Sequence, residues 1–415
     1  MNPLNEKFLT ILKYALVGQK AENCDDITIE EWNQLFMLAN SHNVLPMFFE
    51  AVFDNEMLKN SNEPFVQIAR RRVMQNVMMQ AITTDDFLRL YGKLVDGGIK
   101  PLVVKGIVCR NLYSKPDHRP SGDEDMWVQP QMFEATHRIM TDYGMGALIE
   151  HENELDSYEV TYCKNGSPLR IELHKSLFPT ESDAYGHLND YFKDSVESAV
   201  EVQIHGQTVY TLEYTDSLFY LICHAFKHFL HSGFGIRQVA DIVMFANEYG
   251  NRIDWERVLN NCREIKADKF TAAMFKIGEK YLNFDLRKSC YSDSWKSIEI
   301  DETQLLEELL SSGIFGASTM SRKHSSSITL NAVTSNKEGK KARVSLISSL
   351  FPPINNLEYK YKFLKKHPYL LPAAWVMRIG GYIKETSSTK NNNAVDTLKI
   401  GKERVELMKK YEIIE

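Results

Sequence analysis

No Cys-x-x-Cys pair occurs in this chain, and its six cysteines (Cys24, Cys109, Cys163, Cys223, Cys262 and Cys290) are scattered along it. That leaves no redox pair and fits reduced thiols in a cytoplasmic protein. No charged-then-apolar leader follows Met1, so export is not expected. An apolar run of the ~20 residues that a bilayer-spanning helix needs is also missing; the most apolar late segment, Tyr369 to Ile383, is interrupted by Arg378. Positive charge is not in excess either. With 49 Lys+Arg against 55 Asp+Glu, the net charge is −6 and the pI about 6.1. This argues against an extended nucleic-acid surface, and so against a polymerase working on long DNA. What is present is ordinary globular composition, 43% hydrophobic and 25% charged over 415 residues, enough material for two or three domains.

Chemistry concentrates in one stretch, Lys105-Gly106-Ile107 through Arg119-Pro120-Ser121-Gly122-Asp123-Glu124-Asp125-Met126-Trp127-Val128. Asp123 and Asp125 are two residues apart, so on a strand both side chains leave the same face. Two carboxylates roughly 4 Å apart repel by about 4 kcal/mol at an effective dielectric near 20. A divalent cation such as Mg²⁺ offsets that, whereas protonating one carboxylate would make an acid/base dyad. Standing alone, an Asp-x-Asp is more often a solvated acidic turn.

The flanking segments supply context. Asp85 to Val95 has helical apolar spacing and ends at Gly97-Gly98; Pro101 to Val104 is an apolar strand running into Lys105-Gly106. A glycine turn before a helix start offers free N–H groups to an anion, so phosphate is expected there. Gln131 to Tyr143 is helical. Strands are expected over Gly146 to His151, Tyr158 to Cys163 and Pro168 to His174, the last two joined by Lys164-Asn165-Gly166-Ser167, a strong hairpin signal. In the last strand Arg170, Glu172 and His174 alternate with Leu169, Ile171 and Leu173. Glu172 is thereby placed as a third carboxylate, with His174 on its face.

The order of Lys-Gly after an apolar strand, the Leu112-Tyr113 pair, Arg-Pro-x-x-Asp-x-Asp and the later Glu172-Leu173-His174 resembles the uncharacterised bacterial nucleotidyltransferase family of the DNA polymerase beta superfamily. The resemblance continues through Leu221 to His228 and Gly235 to Ile242, covering roughly residues 85 to 260. It implies an α+β fold: a palm of mixed β-sheet with flanking helices, set between helical regions. It implies that Asp123, Asp125 and Glu172 hold two Mg²⁺ ions, or Mn²⁺, and that the phosphates of an NTP such as ATP are gripped near Lys105 and Gly106. Arg119, Ser121, Gly122, His174, Lys227, His228 and Arg237 would line the nucleotide site, and Asp241 would position or deprotonate an acceptor. The implied reaction moves an NMP to a hydroxyl or phosphate acceptor and releases pyrophosphate. The chain departs from the superfamily in carrying Ile107 where a serine follows the glycine, and Glu124 where an apolar residue separates the aspartates. Glu124 is expected at a solvent-accessible strand start, or else paired with Arg119 or Arg170.

Other readings stay open. Arg237 and Asp241, four apart, form an ordinary intrahelical ion pair as readily as a substrate contact. His224, His228 and His231 share a helical face, which suits a core or cleft lining better than zinc, since no fourth ligand is evident. A catalytically degenerate nucleotide-binding module, a protein-interaction module and a zinc hydrolase are the alternative functions. The expected organisation is an N-terminal helical layer over 1–80, a palm over 81–212, a helical bundle over 213–310, a polar loop over 311–345 and a helical tail over 346–415. The tail's basic cluster, Lys360, Lys362, Lys365 and Lys366, is more often a solvated helix face than a binding site. The acceptor and the oligomeric state are not legible.

Overall fold

The computed structural model describes residues 1–149, 155–231, 233–312, 328–330, 332–333, 351, 354, 364, 367–377 and 394–415. Most of the polar loop, the Lys360 to Lys366 lysines and the linker over 387–393 lie outside the described residues.

The chain begins with helices α1 (Pro3–Leu16), α2 (Ile29–Ser41), α3 (Leu45–Val52) and the one-turn α4 (Glu56–Lys59). Local chemistry starts them: Asn2 caps α1 through Asn5 N, and Thr28 and Glu31 form a capping box at α2. Phe8, Leu9, Ile11, Leu12, Ala15 and Leu16 give α1 one fully apolar face, each large side chain stabilising by ~2 kcal/mol on burial. Helix α5 (Pro64–Asp96) then runs unbroken for 33 residues. It crosses residue 80, where the sequence suggested a boundary, because neither Gly nor Pro interrupts it before Gly92.

Seven strands follow: β1 (Leu102–Val103), β2 (Glu124–Trp127), β3 (Met145–Ala147), β4 (Glu159–Lys164), β5 (Arg170–His174), β6 (Val200–Ile204) and β7 (Gln207–Thr211). Between them lie α6 (Ile107–Arg110) and α7 (Phe133–Asp142). They form one mixed sheet in the order β3-β4-β5-β2-β1-β7-β6. The pairs β2/β5 and β1/β7 are parallel, the others antiparallel. The β4–β5 hairpin turns at Asn165-Gly166, where Gly166 takes a left-handed φ of 77°.

Alternation along the strands divides the sheet into two chemistries. Val103, Met126, Ile171, Leu173 and Val160 face a core shared with Phe87, Leu90, Tyr91 and Leu94 of α5 and Phe133 and Met140 of α7. Leu102, Val104 and Trp127 face the other way, into the core of α8 (Tyr214–His231) and α9 (Ile236–Tyr249). Helices α10 (Trp255–Glu264), α11 (Asp268–Tyr281), α12 (Asp293–Lys296) and α13 (Thr303–Ser312) extend this bundle. The helix Ala394–Lys410 closes on it through Arg404, which donates to the carbonyls of Phe229 and His231. The expected α+β architecture, a mixed sheet flanked by helices, is therefore what the chain adopts. No described helix is long and apolar enough to cross a membrane.

Candidate functional site

Register decides which side chains meet. In the parallel pair Asp125 stands opposite Glu172 and Trp127 opposite His174; in the hairpin Glu172 stands opposite Thr161 and His174 opposite Glu159. Cross-strand partners share a face, so these residues form two neighbouring rows beneath α8. Asp125, Glu172 and His174 bring one ligand atom each to within 4.8 Å of one another. His174 Nε2 lies 3.4 Å from Asp125 Oδ1, and its Nδ1 3.6 Å from Glu159 Oε2. Asp123 immediately precedes β2 and is half-buried at its start, outside that closest group.

The electrostatics are those of a site short of cations. Burial, then the charges of Asp125 and Asp123, push Glu172 up to about 7. Burial and Asp125 also raise Asp123, against the pull of Lys105, Arg237 and Arg119. Asp125 is buried too, but Lys105 and His174 outweigh the desolvation and hold it well below the usual carboxylate range. Lys105 Nζ sits 3.4 Å from Asp125 Oδ2, an atom that is buried without a hydrogen-bond partner. A divalent cation fits this donor set: two carboxylates and an imidazole converge, and their mutual repulsion is only partly offset.

The Lys105-Gly106 turn differs from expectation. Gly106 has φ of 57°, and a Cβ there would collide with the Glu124 carboxylate. The amide of Ile107, which a phosphate would be expected to take, donates instead to Glu124 Oε2 at 2.6 Å. Glu124 Oε1 is 2.5 Å from Arg110 Nη1, and both side chains are 0% exposed. Glu124 is thus neither at a solvent-accessible strand start nor paired with Arg119 or Arg170. Position 124 points to the sheet face opposite the aspartates, under α6, and the missing Cβ at Gly106 makes room for it. Ile107 packs into the same core. Ser121 is also engaged, its hydroxyl accepting from Arg110 and its N–H donating to Gln80 Oε1 at 2.8 Å. Gly122 is exposed.

A second buried ion pair ties the palm to the bundle. Arg119 grips both oxygens of Asp241, with Nε to Oδ1 at 2.9 Å, and Tyr113 donates to the same Oδ1 at 2.8 Å. Asp241 therefore pairs with a residue 122 positions away rather than with Arg237 on its own helix. Arg237 donates to the carbonyl of Pro120 and keeps a buried Nε without a partner. Burial and Arg119 bring it down to about 10, so it stays charged at neutral pH.

Helix α8 roofs the carboxylate rows. His224 Nε2 and His228 Nε2 are 3.1 Å apart; burial and the nearby Lys105 and Lys227 keep both neutral, His228 near about 3. Among the described residues no further His, Cys, Asp or Glu completes a ligand-sized group with them. Lys227 Nζ lies 5.7 Å over the Tyr158 ring, which in turn sits tilted against His174, with ring centroids 6.3 Å apart.

A family model described as uncharacterised nucleotidyltransferase matches residues 29–283. The chain belongs to this family. No curated protein and no solved structure matches it. The matched span runs from the first residue of α2 to just beyond α11, so it holds every residue of the site. Sequence reasoning missed three of them. Glu159 lies on the same hairpin face as Glu172 and His174, but counting outward from Asn165-Gly166 would pair it with Glu172; the observed register, two residues offset, pairs it with His174. Arg110 and Tyr113 act through partners distant in sequence, and although Tyr113 belongs to the Leu112-Tyr113 pair, nothing local marks the partner of either.

Proposed function

We propose that this protein moves an NMP from an NTP to a hydroxyl or phosphate acceptor, with divalent metal, and releases pyrophosphate. The supporting observation is the Asp125, Glu172 and His174 cluster beside Lys105. Asp125 and Glu172 would hold one Mg²⁺ or Mn²⁺ inside the cluster, and Asp123, at its rim, would share a second with the phosphates. Bound there, the metal supplies positive charge to the leaving phosphates and lowers the pKa of the attacking hydroxyl.

The chain's own residues do the rest. Lys105 turns from Asp125 to the triphosphate, and the unpartnered Nε of Arg237 gives a second positive contact. Lys227 adds charge from the roof, while His224 and His228, being neutral, hydrogen-bond only. Asp241, both of whose oxygens are taken by Arg119 and Tyr113, acts by positioning Tyr113 and the Arg119–Asp123 loop rather than by touching the acceptor, while Arg119 keeps a buried Nη1 without a hydrogen-bond partner. Free thiols on all six cysteines support a cytoplasmic setting.

One observation favours a second reading, nucleotide binding without turnover: Glu124 holds the Ile107 amide and Ile107 replaces the serine. Isothermal titration with Mg-ATP and Mg-CTP, with pyrophosphate release measured over an acceptor panel, separates the two. Binding and release that are both abolished in Asp123→Ala/Asp125→Ala are expected. Binding without release for any NTP supports the second reading, and unchanged binding and turnover in the double variant refutes both.

A further inference from the structure

Resting on the proposed metal-dependent transfer, we infer that His174 is itself a metal ligand through Nε2, held by Glu159, so that the site prefers a first-row transition ion to Mg²⁺. Three observations meet here. The closest group of ligand atoms consists of two carboxylates and this imidazole, and Asp123 is not among its members. His174 is 3% exposed with Nε2 directed at Asp125, whose Oδ2 is buried without a hydrogen-bond partner. The other ring nitrogen is buried without a hydrogen-bond partner and lies 3.6 Å from a carboxylate oxygen, Glu159 Oε2, and the ring sits tilted against Tyr158.

That is the arrangement of a ligating histidine. In the metal-free chain Nε2 donates to Asp125 Oδ1 at 3.4 Å; a cation on Asp125 would displace that proton, and a carboxylate drawn onto Nδ1–H would fix the tautomer that leaves the Nε2 lone pair free and raise its basicity. The register supplies it without strain, because Glu159 and His174 are direct partners across the hairpin and Glu172 lies two residues back on the same face. Mg²⁺ accepts nitrogen ligands poorly, whereas Mn²⁺ and the later divalent ions take imidazole readily. Mg²⁺ would use only Asp125 and Glu172 here; Mn²⁺ would use all three. His174 thereby becomes the residue that sets metal identity.

The test uses the full chain, Mn²⁺ and Mg²⁺, without nucleotide. Titration calorimetry should give Mn²⁺ an affinity at least about tenfold above Mg²⁺, and electron spin echo spectra of the Mn²⁺ complex should show a directly bound ¹⁴N. Protein grown with ¹⁵N-histidine should lose that ¹⁴N modulation. In His174→Gln the nitrogen coupling should vanish and the Mn²⁺ advantage collapse while Mg²⁺ affinity holds, and Glu159→Gln should weaken Mn²⁺ by about tenfold. If His174→Gln does not fold, the isotope exchange in the wild-type protein decides alone. Mn²⁺ bound without nitrogen coupling overturns the inference and leaves the transfer reaction standing. Nitrogen coupling that survives in His174→Gln assigns it to another histidine and also overturns the inference. Failure to bind either ion overturns both.

Discussion

Removing the Glu124 carboxylate should cost more stability than any other single change near the site. Glu124 and Arg110 are both 0% exposed, and Glu124 also accepts from Ile107 N. In Glu124→Ala the guanidinium stays behind in a low-dielectric core, a loss of about 3–5 kcal/mol for breaking a buried pair. The orphaned Ile107 amide adds about 1–3 kcal/mol. Ser121, which still accepts from Arg110, recovers a little of this, so the expected loss is about 4 kcal/mol, a large fraction of the about 5–15 kcal/mol typical of a folded protein. Arg110→Met/Glu124→Met, which replaces the pair by apolar side chains of similar length, should lie within about 1–2 kcal/mol of the parent chain. Urea unfolding of the parent, Arg110→Met, Glu124→Met and the double variant, with Glu124→Ala measured beside them and all compared at constant slope, gives both quantities. If Glu124→Ala loses under about 1 kcal/mol, or if the double variant loses the sum of the singles, the pair is not a coupled buried ion pair and the reasoning fails.

Other variants probe the metal face and the palm–bundle contact. Glu172 has a folded pKa of about 7, above its ordinary value, so the native state binds more protons than the unfolded chain between the two values. Its contribution to stability is fully present below the unfolded pKa and lost as pH rises through about 7. Thermal melts of the metal-free chain against Glu172→Gln should therefore show the parent losing stability relative to the variant from about pH 5 to about pH 8; a flat difference would refute this. Lys105→Met removes the cation now 3.4 Å from Asp125, so Mn²⁺ alone should bind more tightly and Mg-ATP about tenfold more weakly; calorimetry showing both unchanged would remove Lys105 from the site. Asp241→Asn should act on folding before chemistry, losing about 3 kcal/mol because Arg119 is left buried and unpaired, and a variant as stable as the parent in urea would contradict the clasp.

The convergence of Asp125, Glu172 and His174 was largely legible because its signals are local and periodic. The Asn165-Gly166 turn set the hairpin, and alternation in Leu169 to His174 put Glu172 and His174 on one face opposite Asp125. The α+β class followed from the family resemblance, with which strand alternation beside helical spacing agrees. Glu124 shows where this stops. Alternation correctly pointed it away from the aspartates, but its partner is Arg110 on a one-turn helix, and a buried pair joining two elements leaves no period in the sequence. Asp241 failed likewise, since the four-residue spacing to Arg237 is a helix-surface rule and this helix face is buried against Arg119. The continuity of α5 was obscured because two apolar stripes on one long helix look like two helices when their faces pack on different layers.

The clasp of Arg119, Asp241 and Tyr113 has a mechanical consequence. It rivets the loop before β2 to α9, so the sheet and the bundle cannot swing apart as two jaws without leaving a guanidinium and a carboxylate unpaired out of water, at about 3–5 kcal/mol. Many enzymes gate substrate traffic by such a swing. Here the clasp works against such a swing, and the spacing between sheet and bundle at this edge is set when the chain folds.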